Sequence, residues 1–208
     1  MPITLDECPL DLSFPASATV GDALAAAQKR LPAGRIAATI ILDGVTREGP
    51  ALTAARSEAV NGRSLTIISA DQHDVSLAML GRLAALIEWL APQHKTVATQ
   101  LEKGDQAAAF DGLGRIFSTW QNIQSAYSSL AKLNGITLGQ LPVRALTGEI
   151  VLNEFVQHLT DMQAALQKHD LVLLADILQY EMDGAVATWM ALLEATLGVV
   201  EQTRATAA

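Results

Sequence analysis

The sequence predicts an α+β chain: a small N-terminal mixed-sheet domain over residues 1–70, then an antiparallel four-helix bundle of two similar helical hairpins over 71–208. Three observations predict it. Before residue 70 apolar residues alternate with period two, as in half-buried strands. Beyond it alanine and leucine dominate, which favours helix. The third is a repeat: QLEKGDQAAAFDGL at 100–113 is echoed by ALQKHDLVLLADIL at 165–178. At an offset of 65, Leu101 falls on Leu166, Lys103 on Lys168, Asp105 on Asp170, Asp111 on Asp176 and Leu113 on Leu178. One hairpin alone leaves an apolar stripe facing water, and two together cover both stripes.

In the first seventy residues, Ile3–Leu5 and Leu10–Phe14 read as strands around a turn at Glu7 to Pro9. Thr19 caps a short helix with Asp22 three residues on as its reciprocal acid, and Leu24, Ala27 and Leu31 form its inner face. Ile36–Leu42 is the strongest strand, followed by the hairpin signal Asp43-Gly44 and a last strand, Ser64–Ile68, after Asn61-Gly62. The order strand, strand, helix, strand, short strand, strand resembles a ubiquitin-like β-grasp. Modifiers and sulfur carriers of that fold need a free Gly-Gly carboxyl end, whereas here the last strand runs on into a helix and the sequence ends Thr206-Ala-Ala208. The resemblance therefore implies a docking or dimerising module.

In the helical part, Leu80, Leu83, Ile87, Leu90, His94, Val97 and Leu101 recur at three- and four-residue steps and share one helix face, interrupted by Pro92. The next helix, opened by Asp105, presents Phe110, Leu113, Phe117, Trp120, Gln124, Tyr127 and Ala131. A third presents Leu152, Phe155, Leu159, Met162 and Leu166, with Glu154, His158 and Asp161 opposite. The last runs from Asp170 to about Gln202 with a seam of Leu171, Leu174, Leu178, Glu181, Ala185, Thr188 and Leu192. Flanking that seam are Leu173, Ile177 and Tyr180 on one side, and Val186, Met190, Leu193 and Leu197 on the other. So wide an apolar arc predicts a second burial, by the N-terminal domain or by another copy of the chain. Trp89, off the seam beside Leu86, is a further contact residue for a neighbour.

Two polar residues stand at seam positions. Counted from the turns at Lys103 and Lys168, His94 and Glu181 lie at similar depth on adjacent helices, which predicts a buried ion pair that fixes register.

A net charge of −8 argues against a nucleic-acid partner. Residues 1–70 hold six basic and seven acidic side chains, and the remainder eight and fifteen, so the acidity lies in the helices. One cysteine, Cys8, precludes an intramolecular disulfide and suits a reducing cytoplasm. The first residues lack the basic flank and apolar run of a signal peptide, and no membrane span is expected. Di-iron bundles use Glu-x-x-His on two helices, and this chain has none; Glu154 and His158 are four apart. His73, His94, His158 and His169 lack zinc spacing, and Gly112-x-Gly114 follows no strand as a phosphate loop would. No catalytic residue, metal or cofactor is expected.

The reading is a cytoplasmic, non-enzymatic interaction protein, an adaptor or chaperone, that binds helical or apolar partner segments and forms a homodimer through its last helix. Its expected surface is Trp89, Leu173, Ile177, Tyr180, Met190, Leu193 and Leu197. The segment DLVLLADILQYE, Asp170 to Glu181, is similar to stretches in bacterial helical proteins associated with motility, and loosely to flagellar export chaperones. That likeness implies a partner in motility or secretion. The alternative is an enzyme or ligand carrier with a polar site around His94 and Glu181.

Overall fold

Two residues at positive φ start the sheet. Asp6 (47°) and Glu7 (66°) form the two-residue turn between β1 (Ile3–Leu5) and β2 (Cys8–Leu10). The turn thus falls earlier than Glu7 to Pro9, and the second strand ends at Leu10. The reason is Asp6: its carboxylate accepts hydrogen bonds from the Ser69 amide (2.7 Å) and hydroxyl (2.5 Å), tying the turn to the last strand. The computed structural model of the chain describes residues 2–12, 14–15, 17–47 and 49–207, with side chains described for all of these except 49–50 and 205–207. Ser13, in the expected second strand, lies outside the described residues.

Helix α1 (Val20–Gln28) begins with a full capping box: the Thr19 hydroxyl accepts from the Asp22 amide, and the Asp22 carboxylate accepts from the Thr19 amide. Strand β3 (Arg35–Leu42) turns at Asp43 (φ 52°) and Gly44 (φ 77°) into β4 (Val45–Thr46). A short helix α2 (Gly49–Ala55), unanticipated from the sequence, precedes β5 (Leu65–Asp71). Strand β5 outruns the expected end at Ile68 because β3 starts at Arg35 and pairs it as far as Asp71. The sheet order is β2-β1-β5-β3-β4, with β1 and β5 parallel and the other pairs antiparallel. Its core joins Ile3, Ile40, Leu42, Leu65 and Ile67 to Val20, Leu24 and Ala27 of α1.

The chain divides into two compact units, Met1–Val75 and Ser76–Ala208. The second is built on α3 (Gln72–Glu102), α4 (Gln106–Leu133), α5 (Gly148–Gln167), α6 (Leu171–Asp176) and α7 (Met182–Ala207). Between α4 and α5 lie a 3-10 turn and a small hairpin, β6 (Pro142–Val143) and β7 (Leu146–Thr147). Between α6 and α7 the chain makes a π turn, Ile177–Glu181. All seven seam residues named for the first long helix are buried on α3, which runs unbroken through Pro92. On α4 the inner face rotates slightly: Ile116 and Ile123 are buried, and Phe110 is exposed. Two helices, Gln72–Glu102 and Leu171–Arg204, are long and apolar enough to cross a membrane by length and composition alone.

The repeat is real at the level of hydrogen bonds. At the first turn Lys103 donates to Thr99, Gly104 to Leu101 and Asp105 to Gln100; at the second, Lys168 donates to Ala164, His169 to Leu166 and Asp170 to Ala165. The Asp105 carboxylate then caps Ala108, and that of Asp170 caps Leu173. Position 104 is glycine at φ 77°, whereas position 169 is histidine at φ 56°, exposed and left-handed. Only glycine adopts that region without strain.

His169→Gly is therefore expected to raise unfolding free energy by roughly 0.5–1 kcal/mol, and Gly104→Ala to lower it by a similar amount, in urea titrations. Gly112, inside α4, has a separate role: a Cβ there would sit 2.5 Å from Val97 Cγ2 on α3. Gly112→Ala should accordingly lower stability by about 1–3 kcal/mol in the same assay.

Candidate functional site

The centre of the helical unit is aromatic. Trp120 of α4 lies 4.4 Å from Phe155 of α5 and 5.6 Å from Trp189 of α7, ring centre to ring centre. Trp189 meets Phe155 (5.4 Å) and Tyr127 (5.6 Å) edge-on. His94 of α3 completes the group, parallel to Trp120 at 6.1 Å. Every one of these five is buried.

The polar atoms of this cluster are fixed by elimination. The Trp120 indole N–H donates to His94 Nε2 at 3.1 Å, so the imidazole proton sits on Nδ1, which has no partner. Thr196 spends its only hydroxyl hydrogen on the Leu192 carbonyl (2.8 Å), so the Tyr127 hydroxyl donates to Thr196 Oγ1 (3.0 Å). Burial holds the Tyr127 phenol above its ordinary range, the Thr196 contact opposing it in part. Burial likewise lowers the His94 pKa from 6.5 to about 4, with the Asp183 carboxylate opposing it weakly.

The expected pair of His94 and Glu181 does not form. Glu181 Oε2 is bound instead by His158 Nδ1 of α5 at 3.1 Å, with both side chains partly solvated. Glu181 is the last residue of the π turn, and the buried positions beyond Leu178 are Met182, Ala185, Trp189, Leu192 and Thr196, so Ala185 and Leu192 keep their expected places while Glu181 and Thr188 lie outward. A carboxylate that remains hydrated avoids the large desolvation cost of an inner position. The signal for this lay in the sequence: Met182 and Trp189 are seven apart, like Glu181 and Thr188, and far more apolar.

Burial also corrects the expected interaction surface. Ile177 and Leu193 are buried, and Met190 and Leu197 are partly buried against the core, so most of the wide arc is used within the unit. Trp89 (42% exposed), Leu173 (45%) and Tyr180 (72%) remain outside, joined by Leu86 on α3 and Val172 (75%) on α6.

Where Glu181 emerges, a cleft of about 230 Å³ opens between α5 and α7. Val151, Phe155, Ala185 and Trp189 form its apolar walls, with Glu154, His158, Glu181, Gly184 and Thr188 as the rest of its lining. Glu154 and His158, expected as a solvated pair on an outer face, thus border a cavity, and His158 has Glu181 as its partner. Of the two residues of the expected polar site, the cleft contains Glu181 and not His94. Among the described residues no three His, Cys, Asp or Glu side chains gather as metal ligands. Cys8 is exposed on β2.

Residues 78–192 match a family described as a domain of unknown function, DUF8042. The chain belongs to this family. The DUF8042 stretch spans more than half of the chain and includes the whole cleft and all five aromatic-cluster residues, but none of the N-terminal sheet. No curated protein and no solved structure matches the chain.

His94 gives this site its pH dependence. A group whose folded pKa lies below its unfolded value lends stability that is complete above the unfolded value and is lost as pH falls. Between pH 6.5 and about 4 the protein should lose stability on the order of 3 kcal/mol through His94 alone. His94→Gln, compared with wild type in denaturant titrations at pH 7 and pH 4.5, should show a smaller acid loss. An equal loss in both would remove His94 as the source.

Proposed function

We propose that this chain is a non-enzymatic adaptor or chaperone whose helical unit binds apolar or helical segments of a protein partner. The observation that carries the reading is the exposure of large apolar side chains on the helical unit, among them Leu86, Trp89, Val172, Leu173 and Tyr180. Large exposed apolar side chains, where they form a patch, mark partner surfaces in soluble proteins. Leu86 and Trp89 are three apart and share a face of α3; Leu173 and Tyr180 are seven apart across the π turn. The net charge of −8 suits a protein that keeps an apolar patch in solution.

The reading treats the two membrane-length helices as core helices of a cytoplasmic protein. In its support, each contributes buried residues to one shared core, and Lys95 of the first is bound to Asp183 of the second at 2.8 Å. It also takes the helical unit to be an antiparallel four-helix bundle, with α6, the π turn and α7 acting as one rod; the matched turns at Gly104 and His169 support this. For the N-terminal unit, the order β2-β1-β5-β3-β4 with its parallel β1/β5 pair supports a ubiquitin-like β-grasp used for docking. Motility or secretion is the partner class we favour. Self-association through Val172, Leu173 and Tyr180 belongs to the same proposal.

Val172→Asp combined with Tyr180→Asp changes two exposed residues and should leave the melting temperature within a few degrees of wild type. Wild type should yield a recurrent partner by affinity capture from its native cell and a concentration-dependent dimer by light scattering. The double variant should lose both by about tenfold or more. Identical capture and association by the two proteins would refute the reading.

A further inference from the structure

The two helical hairpins share a turn but not a surface. At the offset of 65 that matches their turns, Ala107 corresponds to Val172, Ala108 to Leu173, Asp111 to Asp176 and Arg115 to Tyr180. The first set suits a stretch that faces water: small side chains, and a carboxylate with a cation one turn further on. The second set keeps the acid and surrounds it with large apolar groups. Between Leu171 and Tyr180 the exposed side chains are Val172, Leu173, Asp176 and Tyr180, with Asp176 three or four residues from each of the others. At that spacing they are neighbours along one helical face. Folding does not require the exchange, since α4 begins with alanines on an equally capped turn.

Charge sets the chemistry of what covers this stripe. Among the described residues the Asp176 carboxylate has no hydrogen bond or ion pair. No lysine or arginine occurs between Lys168 and Arg204, and Lys95 of α3 is engaged by Asp183. The surroundings add to the imbalance. Residues 72–133 hold five acidic and five basic side chains, whereas residues 148–204 hold nine and two. A second copy of the chain meeting this stripe through its own would bring another Asp176 and no cation. A carboxylate enclosed by apolar groups without a cation is costly. The stripe also lies on α6 and the π turn, a helical irregularity that recurs at functional sites.

We propose that the partner segment bound here is a basic amphipathic helix. Its apolar face covers Val172, Leu173 and Tyr180, and a lysine or arginine bordering that face pairs with Asp176, supplying the cation that the second hairpin lacks. Such a helix is a stronger occupant than a second copy and displaces it. The inference rests on the partner reading above and adds to it the partner's charge, which steers the encounter and fixes the register of docking.

The probe is a synthetic helix of about four turns, with leucine at i, i+3, i+4 and i+7 and arginine elsewhere, followed by fluorescence anisotropy of a terminal label at ~0.15 M salt. Two control helices replace every arginine by glutamine or by glutamate. The arginine helix should bind at least about tenfold more tightly than the glutamine helix, and the glutamate helix should not bind. Asp176→Asn should weaken the arginine helix by about fivefold or more, whereas Asp111→Asn, at the matched acid of the first hairpin, should leave it unchanged. Val172→Ala with Leu173→Ala and Tyr180→Arg installs the first hairpin's residues at exposed positions, and should abolish binding while keeping the melting temperature within a few degrees. Tyr180→Arg alone gives the same test if the triple variant misfolds. Equal binding of the arginine and glutamine helices, lost in the triple variant, would overturn the basic partner and leave the apolar surface standing. Equal weakening by Asp111→Asn, or binding that survives the triple variant, would overturn it by assigning the affinity to general acidity. Failure of the arginine helix to bind wild type would overturn it outright, and would give the face to the second copy if the chain still pairs through it.

Discussion

The aromatic cluster of Trp120, Phe155, Trp189 and Tyr127, with His94 hydrogen-bonded at one edge, is the constraint on which the helical unit depends. Aromatic side chains are only 4% of the chain, yet these four meet at one level and come from three different helices. Each buries a large area, and each ring contact adds about 0.5–1.5 kcal/mol beyond that area. Through His94 the fourth helix, α3, is held at the same level by a directed hydrogen bond rather than by apolar contact alone. A histidine does this only while neutral, because its protonated ring has no lone pair to accept the Trp120 N–H. Core geometry and acid sensitivity are therefore properties of one residue.

The π turn lies just before the helix that carries Trp189. A regular α-helix steps the inner face at three and four residues. From Leu178 the buried positions run to Met182, Ala185 and Trp189 at steps of four, three and four, which brings the larger residues inward. Glu181, the last residue of the π turn, lies outside that face beside His158, where the cleft opens.

The degree to which the sequence disclosed this structure follows from how local each determinant is. The capping box at Thr19, the Asp43-Gly44 turn, the seam of α3 and the matched turns at 104 and 169 each rest on residues within a few positions of one another, and all were legible. The Asp6 turn was misplaced because its anchor, Ser69, is 63 residues away. Helix α2 lacks an apolar period long enough to register. The His94–Glu181 pairing failed for a different reason: from Leu178 a step of three reaches Glu181 and a step of four reaches Met182, both are regular, and the more apolar Met182 and Trp189 take the inner positions.

The exposed apolar residues are best understood against that interior. An inward Glu181 would have needed a buried cation for its carboxylate. Taking Met182 and Trp189 inside instead leaves that carboxylate hydrated. Val172, Leu173 and Tyr180 stay outside, although α6 and the π turn that bear them also bear the buried Leu174, Ala175, Ile177 and Leu178. The inner face of this short stretch is thus already filled, and its outer face remains apolar. Packing within the unit gives no reason for an outward Tyr180 or Val172, since polar residues at those positions would serve the fold equally well. Their exposure is what the proposed partner surface rests on, and it falls on α6 and the π turn.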